Sequence, residues 1–69
     1  MGVIQNEIRR LRFKHGEMTQ QELANKTRVS RQTVNAIEQG KYSPSLELAF
    51  RISVVFDEPL ESVFHYPRD

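Results

Sequence analysis

Cysteine and tryptophan are absent from this 69-residue chain, and glycine and proline occur only three times each. Without cysteine, neither a disulfide nor a thiolate-held metal can staple so small a fold. The lack of thiols suits a reducing cytosol, and a cytoplasmic location is expected. No apolar run approaches the roughly 18 residues of a membrane span. The opening Met1-Gly2-Val3-Ile4-Gln5-Asn6-Glu7 lacks the basic-then-apolar layout of a secretion signal. His15 and His65 stand isolated and make a poor ligand set, so neither metal nor cofactor is expected. There is no nucleophile–base pair and no phosphate loop, and one small core leaves no room for a substrate pocket. An enzyme is not expected, and no small-molecule ligand is evident.

What the chain does have is a polarised charge. The net charge is only +1, but residues 1–41 hold eight Lys/Arg against four Glu. Residues 42–69 hold two Arg against five Asp/Glu. One end is suited to face phosphates and the other to face away.

Few breakers means few breaks. Gly16, Gly40, Ser43-Pro44-Ser45 and Pro59, with a softer break at Arg28-Val29-Ser30, divide the chain into five helical segments. They lie near residues 3–14, 20–26, 30–39, 45–56 and 60–64. Ile4, Ile8 and Leu11 share a face of the first segment, and Gly16 suits a left-handed cap after it. Thr19-Gln20-Gln21-Glu22 has the spacing of a capping box, while Ser30 and Ser45 are the N-caps of the third and fourth segments. Strand signals are weak, and no β-ladder is expected within residues 1–60. The fold class is all-α: one domain over residues 1–69, with a core in 3–64 and a frayed tail at 65–69.

The second and third segments carry the most information. Leu23, Val34 and Ile37 are apolar anchors, Val29 tucks into the turn, and Ala24 is small where two helices must come close. A three-residue turn (Thr27, Arg28, Val29) is the spacing of a helix-turn-helix. With Val34 at the centre of the buried face, Gln32, Ala36 and Gln39 fall opposite, flanked by Arg31 and Asn35. Amides bond adenine in a bidentate way and Arg does the same to guanine, so this face is suited to base edges.

These residues, with Ile8-Arg9-Arg10-Leu11-Arg12, Met18-Thr19-Gln20-Gln21-Glu22-Leu23-Ala24, Val29 through Tyr42 and Pro44-Ser45-Leu46-Glu47-Leu48-Ala49, resemble the Cro/repressor-like XRE family of helix-turn-helix proteins. The likeness spans about residues 4–64 and is greatest to short, single-domain members. It implies a five-helix, lambda-repressor-like fold whose third helix lies in the DNA major groove. It implies that Arg31, Gln32 and Ala36 occupy base-reading positions, to which the helical wheel adds Asn35. Gln20, Gln39 and the Gly40-Lys41 amides match backbone-contacting positions, and Ser30 and Lys41 are grouped with them. Arg12 and Glu38 match an ion pair tying the first helix to the third. Two positions depart from the pattern. Arg28 replaces the usual turn glycine, at a cost of about 1–2 kcal/mol, and brings a cation within reach of phosphate. Thr27 replaces an apolar residue and weakens that anchor.

The fourth segment buries Leu48, Ala49, Ile52, Val55 and Phe56 on one face, yet carries Phe50 and Val54 almost opposite. With Val63, Phe64 and Tyr66 these form either an intramolecular contact between helices four and five or a homodimer interface. Phe13 lies off the main face of the first helix, and spacing gives it no role. The function expected is sequence-specific binding of double-stranded DNA by a dimeric transcriptional regulator, most simply a repressor. The alternative is an antitoxin-like or adaptor module whose main partner is a protein.

Overall fold

The computed structural model describes residues 4–67. In chain order it contains β1 (Gln5–Asn6), α1 (Ile8–Lys14), α2 (Gln20–Thr27), α3 (Arg31–Glu38), α4 (Leu46–Phe56), α5 (Leu60–Val63) and β2 (Phe64–His65). The start expected at residue 3 and the last two residues of the expected tail lie outside the described part.

Local chemistry sets most helix boundaries. Thr19 Oγ1 accepts the Glu22 amide at 3.0 Å while Glu22 Oε1 accepts the Thr19 amide at 2.8 Å, completing the capping box. Ser30 accepts from the Thr33 amide and Ser45 from the Leu48 amide, so α3 and α4 begin where their hydroxyls dictate. Arg28 closes α2 in the left-handed region at φ 64°.

One expectation fails at the chain ends. Gln5 pairs with His65 and Asn6 with Phe64 in a short antiparallel ladder, so α1 starts at Ile8 and Ile4 is not on it. The reason is Asn6. Its Oδ1 accepts the Ile8 amide at 3.1 Å, satisfying an N-terminal donor of α1, and its Nδ2 donates to the Ile37 carbonyl at 2.9 Å. The adjoining Glu7 amide donates to the Val63 carbonyl at 2.8 Å, so residues 5–7 are spoken for by other segments. The ladder does not alter the class, which is all-α with five helices.

The core gathers Ile8 and Leu11 from α1, Leu23 and Ala24 from α2, and Val34 and Ile37 from α3. Leu48, Ile52 and Phe56 of α4 and Val63 of α5 complete it. Val63 is fully buried, which corrects its assignment to a dimer face. α5 is a single turn, and the chain leaves it extended at Phe64, so Val63 points into the core while Phe64 is only half-buried against it. Thr27 lies inside α2 and is also fully buried. Its hydroxyl donates to the Leu23 carbonyl at 2.8 Å, so the position packs like an apolar one at no cost in unmet hydrogen bonds. The turn between α2 and α3 is therefore Arg28, Val29 and Ser30.

Candidate nucleic-acid interface

α2 and α3 are held at their turn by two contacts. Val29 is half-buried against the core, and its amide donates to the Ala24 carbonyl at 3.1 Å. Arg51 of α4 donates to the Thr27 carbonyl at 3.0 Å and pairs with Glu47 at 2.7 Å, satisfying a carbonyl at the C-terminus of α2. Nothing in the local sequence of α2 announces that contact, because it comes from a helix two elements away.

α3 buries Val34 and Ile37 and leaves Arg31, Gln32 and Gln39 exposed, with Asn35 and Ala36 half-buried. It ends in a Schellman arrangement. Gly40 takes φ 74°, its amide donates to the Ile37 carbonyl at 3.0 Å, and the Lys41 amide donates to the Ala36 carbonyl at 2.9 Å. The expectation that the Gly40-Lys41 amides serve DNA is thereby corrected: both are consumed in closing the helix, and at Lys41 the exposed side chain is what remains for a partner.

Arg12 and Glu38 meet as a bidentate pair between α1 and α3. Arg12 Nε lies 2.6 Å from Glu38 Oε2 and Nη2 lies 3.0 Å from Oε1. Nη1 donates to the Met18 carbonyl at 2.8 Å, and both side chains are 9% exposed. A lone carboxylate here would leave a negative charge between α1 and α3, and Arg12 neutralises it.

Three amides cluster beside this pair. Asn35 Oδ1 accepts from Gln20 Nε2 at 3.1 Å and from Gln39 Nε2 at 3.3 Å, and Gln20 Nε2 also lies 3.4 Å from Glu38 Oε1. Gln20 and Asn35, placed separately by sequence on phosphate and on base, are thus one unit. Ser30 is exposed but engaged, its Oγ 3.0 Å from Thr33 Oγ1 as well as capping α3.

The distribution of paired charge sharpens the polarity seen in the sequence. Arg10 pairs with Glu7, Lys14 with Glu58 and Arg51 with Glu47. Among the described residues, Arg9, Lys26, Arg28, Arg31 and Lys41 make no ion pair, and all five are exposed on the N-terminal three-fifths of the chain. Glu7, held by Arg10 and then by His65, titrates below the ordinary carboxylate value, as does Glu22, held first by the Thr19 amide. The two histidines are apart: His15 bonds the Leu11 carbonyl and tilts against Phe56, whereas His65 meets Glu7.

On α4, Leu46, Phe50 and Val54 stand 68%, 50% and 77% exposed. Their i, i+4, i+8 spacing makes one stripe along α4. The expectation that both faces of this helix are covered holds on one face only within a single chain. Leu46 also lines an open apolar groove with Ile4, Pro44, Ala49, Leu60 and Phe64, and Tyr66 stands exposed nearby in sequence.

The model of the helix-turn-helix family HTH_3 matches residues 8–63. An uncharacterized HTH-type transcriptional regulator of Methanocaldococcus jannaschii is 47% identical over 66 residues, covering 96% of this chain and 98% of its own. One of Archaeoglobus fulgidus is 48% identical over 61 residues, 88% of this chain and 86% of its own. One of Bacillus subtilis is 43% identical over 61 residues, 88% and 91% respectively.

Proposed function

The chain belongs to the XRE-type helix-turn-helix family, a family of DNA-binding transcriptional regulators, and from that membership we propose that it is a repressor that binds double-stranded DNA sequence-specifically as a homodimer. The observation that carries this reading is the start of α3, where Arg31 and Gln32 stand exposed among unpaired cations. Both side chains match the two commonest bidentate contacts in the major groove, Arg to guanine and Gln to adenine.

In this reading Arg31 and Gln32 read bases, and Ala36 offers at most a methyl contact to thymine. Arg28, Ser30 and Lys41 meet the phosphate backbone, as do Gln20 and Gln39. Asn35 serves them by fixing their amides rather than by reading a base itself, because its carbonyl oxygen is already shared between them. The Leu46-Phe50-Val54 stripe, with Phe64 and Tyr66, meets its counterpart on a second copy. For half-sites one turn of DNA apart, that contact has to hold two α3 helices about 34 Å apart.

Among the described residues no helix is long and apolar enough to cross a membrane; a cytoplasmic, nucleoid-associated location belongs to the proposal. Selection of bound sequences from random DNA tests it. A two-fold motif with two half-sites is expected, and recovery of no preferred sequence removes the sequence-specific reading and favours the protein-interaction module.

A further inference from the structure

α1 carries four cations among its seven residues, and three of them are occupied: Arg10 by Glu7, Arg12 by Glu38 and Met18, Lys14 by Glu58. Arg9 makes no ion pair or side-chain hydrogen bond among the described residues. Its guanidinium instead sits 5.7 Å from the ring centroid of Phe13, one turn further along the helix. The Arg12 guanidinium lies 5.4 Å from the same ring. Phe13 is 52% exposed and belongs to no apolar cluster, so burial does not account for it. As a shelf for two guanidiniums it has a physical role, since an aromatic face attracts cations within about 6 Å.

The shelf opens toward the α2–α3 surface. Arg9 and Phe13 line one open depression together with Gln20, Asn35 and Gln39. Three amide side chains and an unneutralised guanidinium thus border one concavity, and the single carboxylate there, Glu38, is cancelled by Arg12. That is the chemistry of a phosphodiester site: hydrogen-bond donors, a positive charge and no free anion.

We propose that Arg9, presented by the ring of Phe13, is a DNA-backbone contact, so that α1 joins α2 and α3 in the interface. This rests on the DNA-binding reading above and extends it to a phosphate beside Gln20 and Gln39. Phe13 is a positioning residue. It restricts the guanidinium before binding and lowers the conformational cost of holding it on the phosphate.

The test is duplex binding by fluorescence anisotropy across a salt series, with selected and scrambled duplexes, for wild type, Arg9→Ala, Arg10→Ala, Phe13→Leu and Phe13→Tyr. Each contacted phosphate contributes about 0.9 to the logarithmic salt slope. Arg9→Ala is expected to lower the slope by about 0.9 for each protomer bound, hence about 1.8 for the homodimer, and to weaken both duplexes roughly tenfold to a hundredfold at 0.1 M salt, with their ratio unchanged. Arg10→Ala, which removes an equal charge already paired with Glu7, is expected to leave the slope nearly as it was. Phe13→Leu is expected to weaken both duplexes with the slope kept, and Phe13→Tyr to restore wild-type binding.

Equal slope losses for Arg9→Ala and Arg10→Ala overturn the contact in favour of diffuse charge. An unchanged slope for Arg9→Ala overturns it outright, and unimpaired binding by Phe13→Leu removes the shelf. Wild type that binds neither duplex sinks the DNA-binding reading itself, a distinct outcome.

Discussion

Gln20, the first residue of α2, donates its side-chain amide to Asn35, in the middle of α3, at 3.1 Å. The bond ties the N-terminus of one helix to the flank of the next. Gln39 joins from the end of α3, so one carbonyl oxygen orients two amides. Asn35→Ala releases both. Hydrogen bonds of this kind contribute about 0.5–1.5 kcal/mol each, and a loss of roughly threefold to tenfold in affinity is expected, equal on preferred and scrambled duplexes. A loss confined to the preferred duplex would return Asn35 to the base-reading set.

Arg12 and Glu38 are paired at 9% side-chain exposure each, and the Arg12 guanidinium donates three hydrogen bonds, two of them to Glu38. Leaving either charge buried without its partner costs about 3–5 kcal/mol. Arg12→Met and Glu38→Gln are each expected to be strongly destabilising in urea unfolding, with the double variant less so than their sum. Additive losses in that double-mutant cycle would show that the pair is not coupled.

The apolar stripe on α4 predicts an assembly effect without a folding effect. Val54 is 77% exposed, so Val54→Glu is expected to leave the melting temperature nearly unchanged. In sedimentation it should shift the protein to monomer at tens of micromolar and abolish the preference for paired over single half-sites. A wild-type monomer with and without DNA would remove the homodimer.

Acid sensitivity follows from Glu22. Its carboxylate accepts the Thr19 amide, which holds its folded pKa below the ordinary value of 4.5. A depressed carboxylate contributes stability that is fully present above the unfolded pKa and is lost as pH falls through the folded one. Glu22→Gln is therefore expected to be less stable than wild type at neutral pH and to converge toward it below pH about 4. Parallel stability curves from neutral to acid pH would contradict this.

What was legible in the sequence was what is local. The caps at Thr19, Ser30 and Ser45 act within three residues of themselves, and the turn at Arg28 and the outward Phe50 and Val54 follow from helical spacing. The errors share a different cause. Gln5–Asn6 has little strand preference and pairs only because the chain returns with Phe64–His65. Val63 and Phe64 are both apolar, and only the place where the one-turn α5 ends decides which is buried. Thr27 read as a weakened anchor because a polar residue type does not reveal that its own helix satisfies it. The amide cluster joins Gln20 of α2 to Asn35 and Gln39 across the turn, which no periodicity within one helix exposes, whereas the i, i+4 spacing of Arg9 and Phe13 on α1 was there to be read.

Base reading by the start of α3 is the central claim, and anisotropy with Arg31→Ala, Gln32→Ala and Lys41→Ala tests it most directly. On preferred and scrambled duplexes at several salt concentrations, Arg31→Ala and Gln32→Ala are each expected to cost about 1–3 kcal/mol on the preferred duplex alone and to flatten discrimination at one or two base pairs. Lys41→Ala is expected to weaken both duplexes alike and to lower the salt slope by about one unit for each protomer bound. If Arg31→Ala weakens both duplexes equally, its guanidinium serves the backbone, and α3 does not read the sequence in the way described.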